Sequence, residues 1–205
     1  ADRESQTRFS GHGSAIAQAY NHAIMPLANS RDKRTQVIWG LRDFEHRFAR
    51  KPEGMWLAET AVDVDTLEAL AENAIRFALL APHQATRLRR IGKRWTEVSA
   101  AKLDTRRAYL CNLPSGKTIN LFFYDGGISR DIAFNKLLSN GGDFANRLRG
   151  GFREFRREAQ LVHAATDGET YGHHHKFGEM ALSYCLYHLE EQHLATLTVY
   201  GEFLD

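Results

Sequence analysis

The sequence predicts an α/β protein built on a parallel, barrel-like sheet, and three observations carry that prediction. Short apolar runs alternate along the chain with stretches of helical apolar spacing. Gly54 to Ala81 reads as strand, helix and strand, a βαβ unit of about 30 residues that requires parallel pairing. Finally, one strand-like run after another ends in polar side chains, the arrangement by which parallel α/β folds gather sites at the carboxyl ends of their strands.

Taken in order, Ala15-Ile-Ala-Gln-Ala-Tyr20 reads as a strand that ends in Asn21-His22. From Arg31 to Phe48, Val37, Ile38, Leu41, Phe44 and Phe48 recur at helical spacing, and Lys51-Pro-Glu-Gly54 stops the helix. Gly54-Met-Trp-Leu-Ala58 is a short buried strand ending at Glu59. Asp63 or Asp65 caps a helix whose apolar face is Val64, Leu67, Leu70, Ala71 and Ala74. Ile75 to Ala81 is the next strand, stopped by Pro82. Pro114-Ser-Gly-Lys117 turns between two strand-like runs, so Tyr109 to Tyr124 is expected to be a hairpin. Helices are expected within Ser129–Phe155 and over Gly178–His193, with strands at Leu161–Ala165 and Thr196–Leu204.

With 205 residues the chain suits one sizeable core, and it is expected to be a single catalytic-type domain over 1–205. Apolar residues make up 43% and charged residues 25%, an ordinary balance for a globular protein. The formal charge is only +2, so no nucleic-acid partner is expected, and Arg87–Arg90 and Arg147–Arg157 read as solvated helix faces. Two cysteines, Cys111 and Cys185, make neither a disulfide framework nor a zinc motif. No apolar run reaches the roughly 20 residues that span a bilayer, and no signal peptide is visible, so a cytoplasmic protein without a membrane partner is expected.

The polar strand ends are Asn21-His22, Glu59-Thr60, His83-Gln84, Asp125 and Asp167-Gly-Glu169. One such acid is unremarkable, because Asp and Glu also cap the helix that follows a strand. Several directed to one edge point to a site. Two carboxylates from different strands, one ionised and one protonated, are what cleavage of a glycosidic bond requires. Glu59 and Asp167 are the candidates, with Glu169 beside the latter. Trp56 and Tyr171 suit the apolar faces of sugar rings, although aromatic residues at such positions more often serve the core.

The triplet His173-His-His175 is no facial metal triad by itself, because three adjacent side chains cannot all point one way. A zinc or manganese site would need His173 or His175 to combine with Asp167, His22 or His83. The expectation is that no metal and no cofactor is used, and that imidazoles serve as hydrogen-bond donors to sugar hydroxyls or to a carboxylate.

Trp56-Leu-Ala-Glu-Thr60 and Ala165-Thr-Asp-Gly-Glu-Thr-Tyr-Gly-His-His174 resemble two signature motifs of glycoside hydrolase family 57. Ala19-Tyr-Asn-His-Ala-Ile-Met-Pro-Leu27 is similar to that family's Tyr-His-Pro-Ile-Leu-Pro-Leu stretch. The likeness runs from about Gly11 to Leu204 and is closest to the bacterial subgroup with an uncharacterised domain after the catalytic barrel. It implies an incomplete seven-stranded (β/α)7 barrel and a retaining hydrolase or transglycosylase acting on α-linked glucans. It implies Glu59 as nucleophile and Asp167 as general acid and base. Their places at or beside the strand ends make His22, Trp56, His83, Asp125, Glu169 and His173 the expected contacts to an oligo- or polysaccharide.

The family's first-strand motif, His-x-His-x-x-Gln-Pro, is missing from these 205 residues, so a barrel truncated at both ends is expected. Open sheet edges would then pair with the missing part of the chain or with another copy. Two other readings stand beside the first. One is a metal-dependent carbohydrate deacetylase or esterase using Asp167 and histidines. The other is a non-catalytic glucan-binding protein on the same fold.

Overall fold

The computed structural model describes every residue from Ala1 to Asp205. In chain order its elements are α1 (Asp2–Arg8), β1 (Ala17–Gln18), α2 (Ser30–Phe48), β2 (Gly54–Trp56), α3 (Val64–Glu72), β3 (Phe77–Leu80), β4 (Arg87–Leu88), β5 (Thr96–Glu97), β6 (Ala108–Asn112), β7 (Thr118–Phe123), α4 (Gly126–Phe134), α5 (Gly141–Arg149), α6 (Gly178–Glu191) and α7 (Tyr200–Leu204). They gather into two compact units. Ala1–Leu80, Ala108–Phe122 and Thr198–Asp205 form the first, and Ala81–Arg107 with Phe123–Leu197 form the second.

The first unit carries a five-stranded sheet in the order β1-β2-β3-β7-β6. β1 pairs with β2, and β2 with β3, in parallel; β6 and β7 form the expected antiparallel hairpin. The parallel pairs follow from α2 and α3, each of which returns the chain so that the next strand starts at the same end. Asn29 caps α2 by accepting from the Asp32 amide at 2.9 Å, and Asp63 caps α3 by accepting from the Thr66 amide at 2.8 Å. α2 lies so close to β1 that a Cβ on Gly40 would stand 2.1 Å from the Gln18 carbonyl oxygen. Burial works against the Asp63 carboxylate, but hydrogen bonds from Lys33 and Thr66 outweigh it and hold its carboxyl below the usual range.

Met55, Leu57, Phe77, Ala78 and Phe122 are buried on the sheet. Each large side chain there contributes about 1.5–3 kcal/mol relative to exposure. Thr196–Leu204, expected as a strand, ends instead in α7. A helical turn puts Tyr200 and Phe203, three residues apart, on one face, and both rings meet Phe122 at 4.9 and 6.2 Å. A strand would instead bring residues i and i+2 to one face, and would separate these two rings. Burial outweighs the β-preferring run of Thr and Val.

The second unit packs α4, α5 and α6 around Ile128, Ile132, Phe144, Ala181, Cys185 and Leu189. Asn140 caps α5 by accepting from the Gly142 and Asp143 amides. Helix does not continue to Phe155, since Gly150-Gly151 ends α5 at Arg149. Leu161–Ala165 is extended but joins no ladder; its amide and carbonyl groups bond Arg106, Asp125 and the Ser129 hydroxyl singly. Arg87–Arg90 is not a helix face either, because β4 and β5 pair as an antiparallel hairpin. The second arginine run is ion-paired: Arg147 to Asp131 at 2.7 Å, and Arg156 to Asp104 and Glu158. No helix is long and apolar enough to cross a membrane.

Candidate active site

In the first unit the parallel register sets Gln18 against Trp56, and the Ala19 amide donates to the Trp56 carbonyl at 3.2 Å. β1 and β2 therefore leave the sheet side by side. After β1 the Tyr20 amide donates to the Gln36 carbonyl (3.3 Å), and the Asn21 amide to the Gln36 side chain (2.7 Å). This double tie to α2 sets the position of His22. After β2 the chain turns through Leu57-Ala-Glu-Thr60, closed by Thr60 N–H to Leu57 O and Ala61 N–H to Ala58 O, both 2.9 Å.

Leu57, Ala58 and Thr60 are buried, so the turn is held by its own side chains, whereas the Glu59 side chain is 75% exposed. Its Oε1 lies 3.5 Å from His22 Nε2. The backbone there is strained: His22, Glu59 and Thr60 all have φ of +54°. That region costs a residue with a Cβ about 1–2 kcal/mol, and a β-branched Thr is the hardest case. Strain of this kind persists where packing over-determines it, and it gathers at functional positions.

In the second unit Asp167 opens a tight turn over Gly168–Thr170, closed by Thr170 N–H to Asp167 O at 3.0 Å. The Asp167 side chain is exposed and does not cap the turn. Thr166 donates its hydroxyl to the Tyr171 oxygen at 3.1 Å, and Tyr171 packs on the α4–α6 core. The Glu169 carbonyl accepts from the amides of both His173 and His174.

The His173 and His174 rings meet edge to face with centroids 5.0 Å apart, while His175 turns away from them. His175 Nε2–H donates to the Ala133 carbonyl of α4 at 2.9 Å, His174 Nε2 lies 3.5 Å from Glu169, and His173 is exposed. Within neither unit do three His, Cys, Asp or Glu side chains cluster as metal ligands. Asp125 is committed to the start of α4, where its Oδ1 accepts from the Gly127 and Ile128 amides, both at 2.9 Å. His83, in the turn after β3, lines an open cleft of about 470 Å³ with Arg87, Glu97 and Ser99. Sequence patterning missed Gln36, since a side chain reaching from a helix to a strand end leaves no periodic signal. Thr60 reads as a polar strand end, but nothing in the pattern marks its left-handed backbone.

The profile of glycosyl hydrolase family 57 matches residues 6–204, which takes in both acidic motifs. The chain belongs to that family. Solved structures agree on the fold. An exo-type maltose-forming amylase from Pyrococcus sp. ST04 superposes with a TM-score of 0.73 at 19% identity, over 97% of this chain and 32% of its own. An α-amylase from Thermotoga maritima gives 0.73 at 16%, over 98% and 50%. A family 57 branching enzyme from Pyrococcus horikoshii gives 0.72 at 18%, over 99% and 46%. The chain thus spans between about a third and a half of these proteins' lengths. No curated protein sequence matches it.

Proposed function

We propose that the protein is a retaining glycoside hydrolase or transglycosylase acting on α-linked glucans, with its catalytic groups on an incomplete (β/α)7 barrel. The observation that carries this reading is Glu59, the single exposed side chain of a buried, strained turn at a strand end, with His22 beside it. Membership of glycosyl hydrolase family 57 supports it, as do amylase and branching-enzyme neighbours.

In the proposed reaction a Glu59 carboxylate oxygen attacks the anomeric carbon while Asp167 donates its proton to the departing glycosidic oxygen. A glycosyl-enzyme ester results. Asp167, now ionised, takes a proton from water or from an acceptor sugar hydroxyl, whose oxygen displaces Glu59 and restores the starting configuration. His22 orients the Glu59 carboxylate. Trp56, His83, Glu169 and His173 are assigned to sugar contacts, and Asp125 supports the start of α4 with one oxygen while its other is open to a hydroxyl.

The test is the pair Glu59→Gln and Asp167→Asn in the intact protein. A glutamine amide cannot form the ester, so Glu59→Gln should lose turnover of every α-glucan substrate. An asparagine amide cannot protonate a leaving oxygen, so in Asp167→Asn an activated aryl glucoside should suffer far less than a natural glucan. Azide should rescue Glu59→Gly with inversion and Asp167→Gly with retention. Turnover by Glu59→Gln at the wild-type rate would overturn the assignment.

A further inference from the structure

The hairpin β4–β5 has no part in the chemistry above, yet it is the most unusual surface of the second unit. Arg87-Leu-Arg-Arg-Ile-Gly-Lys-Arg-Trp95 holds five basic residues and no acid. Arg87–Glu97 contains five of the chain's 27 Lys and Arg and one of its 25 Asp and Glu. With those eleven residues set aside, the formal charge falls from +2 to −2. The arm is thus a local excess of four positive charges on a chain whose formal total is +2.

Its geometry sorts the charges from an apolar tip. The Lys93 amide donates to the Arg90 carbonyl at 2.9 Å, and Gly92 has φ +75°, which closes a tight turn with Ile91 at its outer corner. Nothing approaches within 4 Å of a Cβ built at Gly92, so the tip stands free of the rest of the fold. Ile91 is 97% exposed and Trp95 57%, and the Arg89 guanidinium lies 4.8 Å from the Trp95 ring centroid. Arg89, Arg90, Lys93 and Arg94 flank this pair.

We propose that the arm docks on an anionic lipid surface, with Ile91 entering the headgroup–acyl boundary, Trp95 at headgroup level and the flanking cations on lipid phosphates. Charge complementarity calls for a polyanion. The aliphatic tip selects among polyanions, because isoleucine gains nothing from a phosphate backbone or a hydroxyl-rich sugar and gains much on leaving water for an acyl layer. Tryptophan favours that interface, and each basic residue near an anionic surface adds about fivefold to affinity.

The test is co-sedimentation of the intact protein with vesicles of phosphatidylcholine alone, and of two parts phosphatidylcholine to one part phosphatidylglycerol. The anionic vesicles should bind at least about tenfold more tightly, and added salt should weaken them. Reversing Arg89, Arg90, Lys93 and Arg94 to Glu should cost on the order of a thousandfold, and Ile91→Asp roughly tenfold, with far-UV circular dichroism unchanged. The blue shift of tryptophan emission on binding should disappear in Trp95→Phe. Equal binding to both vesicles, binding to neither, or binding indifferent to the arm substitutions would overturn the proposal. So would tighter binding to duplex DNA that ignores Ile91→Asp, which would assign the arm to nucleic acid.

Discussion

His22 Nε2 stands 3.5 Å from Glu59 Oε1, and the two residues come from the ends of adjacent parallel strands, each with φ of +54°. The contact joins side chains that are 61% and 75% exposed, so it adds little to stability, and its proposed part is to orient the carboxylate. In His22→Asn, the asparagine keeps a residue that tolerates left-handed backbone while deleting the imidazole. The expected result is a loss of roughly ten- to a hundredfold in kcat/KM with Tm unchanged, since misplacing a reacting group carries such a cost. An unchanged rate would remove His22 from the site.

The strain at Glu59 predicts a trade between stability and activity. Glu59→Gly and Glu59→Ala both delete the carboxylate, but only glycine adopts φ of +54° without cost. Glu59→Gly should be the more stable of the two by about 1 kcal/mol, and both should be inactive. Urea unfolding of the pair reads the difference directly. Equal stabilities would show that the turn relaxes.

Gly40→Ala sets a small gain against a clash. Alanine in a helix is favoured over glycine by about 1 kcal/mol. Its Cβ, however, would lie 2.1 Å from the Gln18 carbonyl oxygen, a backbone atom held in the sheet. Overpacking of this kind costs about 1–3 kcal/mol or more, so net destabilisation is expected, with a fall in Tm of several degrees. Because Gln36 on the same helix holds Tyr20 and Asn21, activity should fall with it. A higher Tm would mean that α2 moves freely on β1.

His163 predicts the acid side of the stability profile. It is 8% exposed, its Nε2–H donates to the Thr105 carbonyl at 3.1 Å, and burial pushes its pKa from 6.5 down to about 4. The unfolded chain takes up this proton before the folded one does. The stabilisation is therefore complete above pH 6.5 and is lost as pH falls towards 4, by on the order of 3 kcal/mol. His163→Gln, which retains an N–H donor, should flatten unfolding free energy across that window. The same slope in both proteins would place the titration elsewhere.

The sequence by itself determined the local elements and the family. The helical spacing of Val37 and Phe44, the turn at Pro114-Ser-Gly-Lys117 and the βαβ unit from Gly54 appear as read, and of the two aspartates offered as the α3 cap it is Asp63, because caps, turns and periodicity act within a few residues. Trp56-Leu-Ala-Glu-Thr60 and the Asp167-Gly-Glu169 motif led to family 57, whose profile spans both. Only the tertiary structure decided what each side chain does. Asp125 reads as one more polar strand end, but one of its oxygens is taken by two helix amides. His175 reads like its two neighbours, but it is tied to Ala133, 42 residues away. The arginines from Arg87 read as a helix face, but Gly92 turns them into a hairpin, and Thr196–Leu204 reads as a strand until Phe122 offers its last rings a surface to bury against. The partner that settles each case lies far along the chain, and packing against it outweighs the fraction of a kilocalorie by which local propensity distinguishes helix from strand.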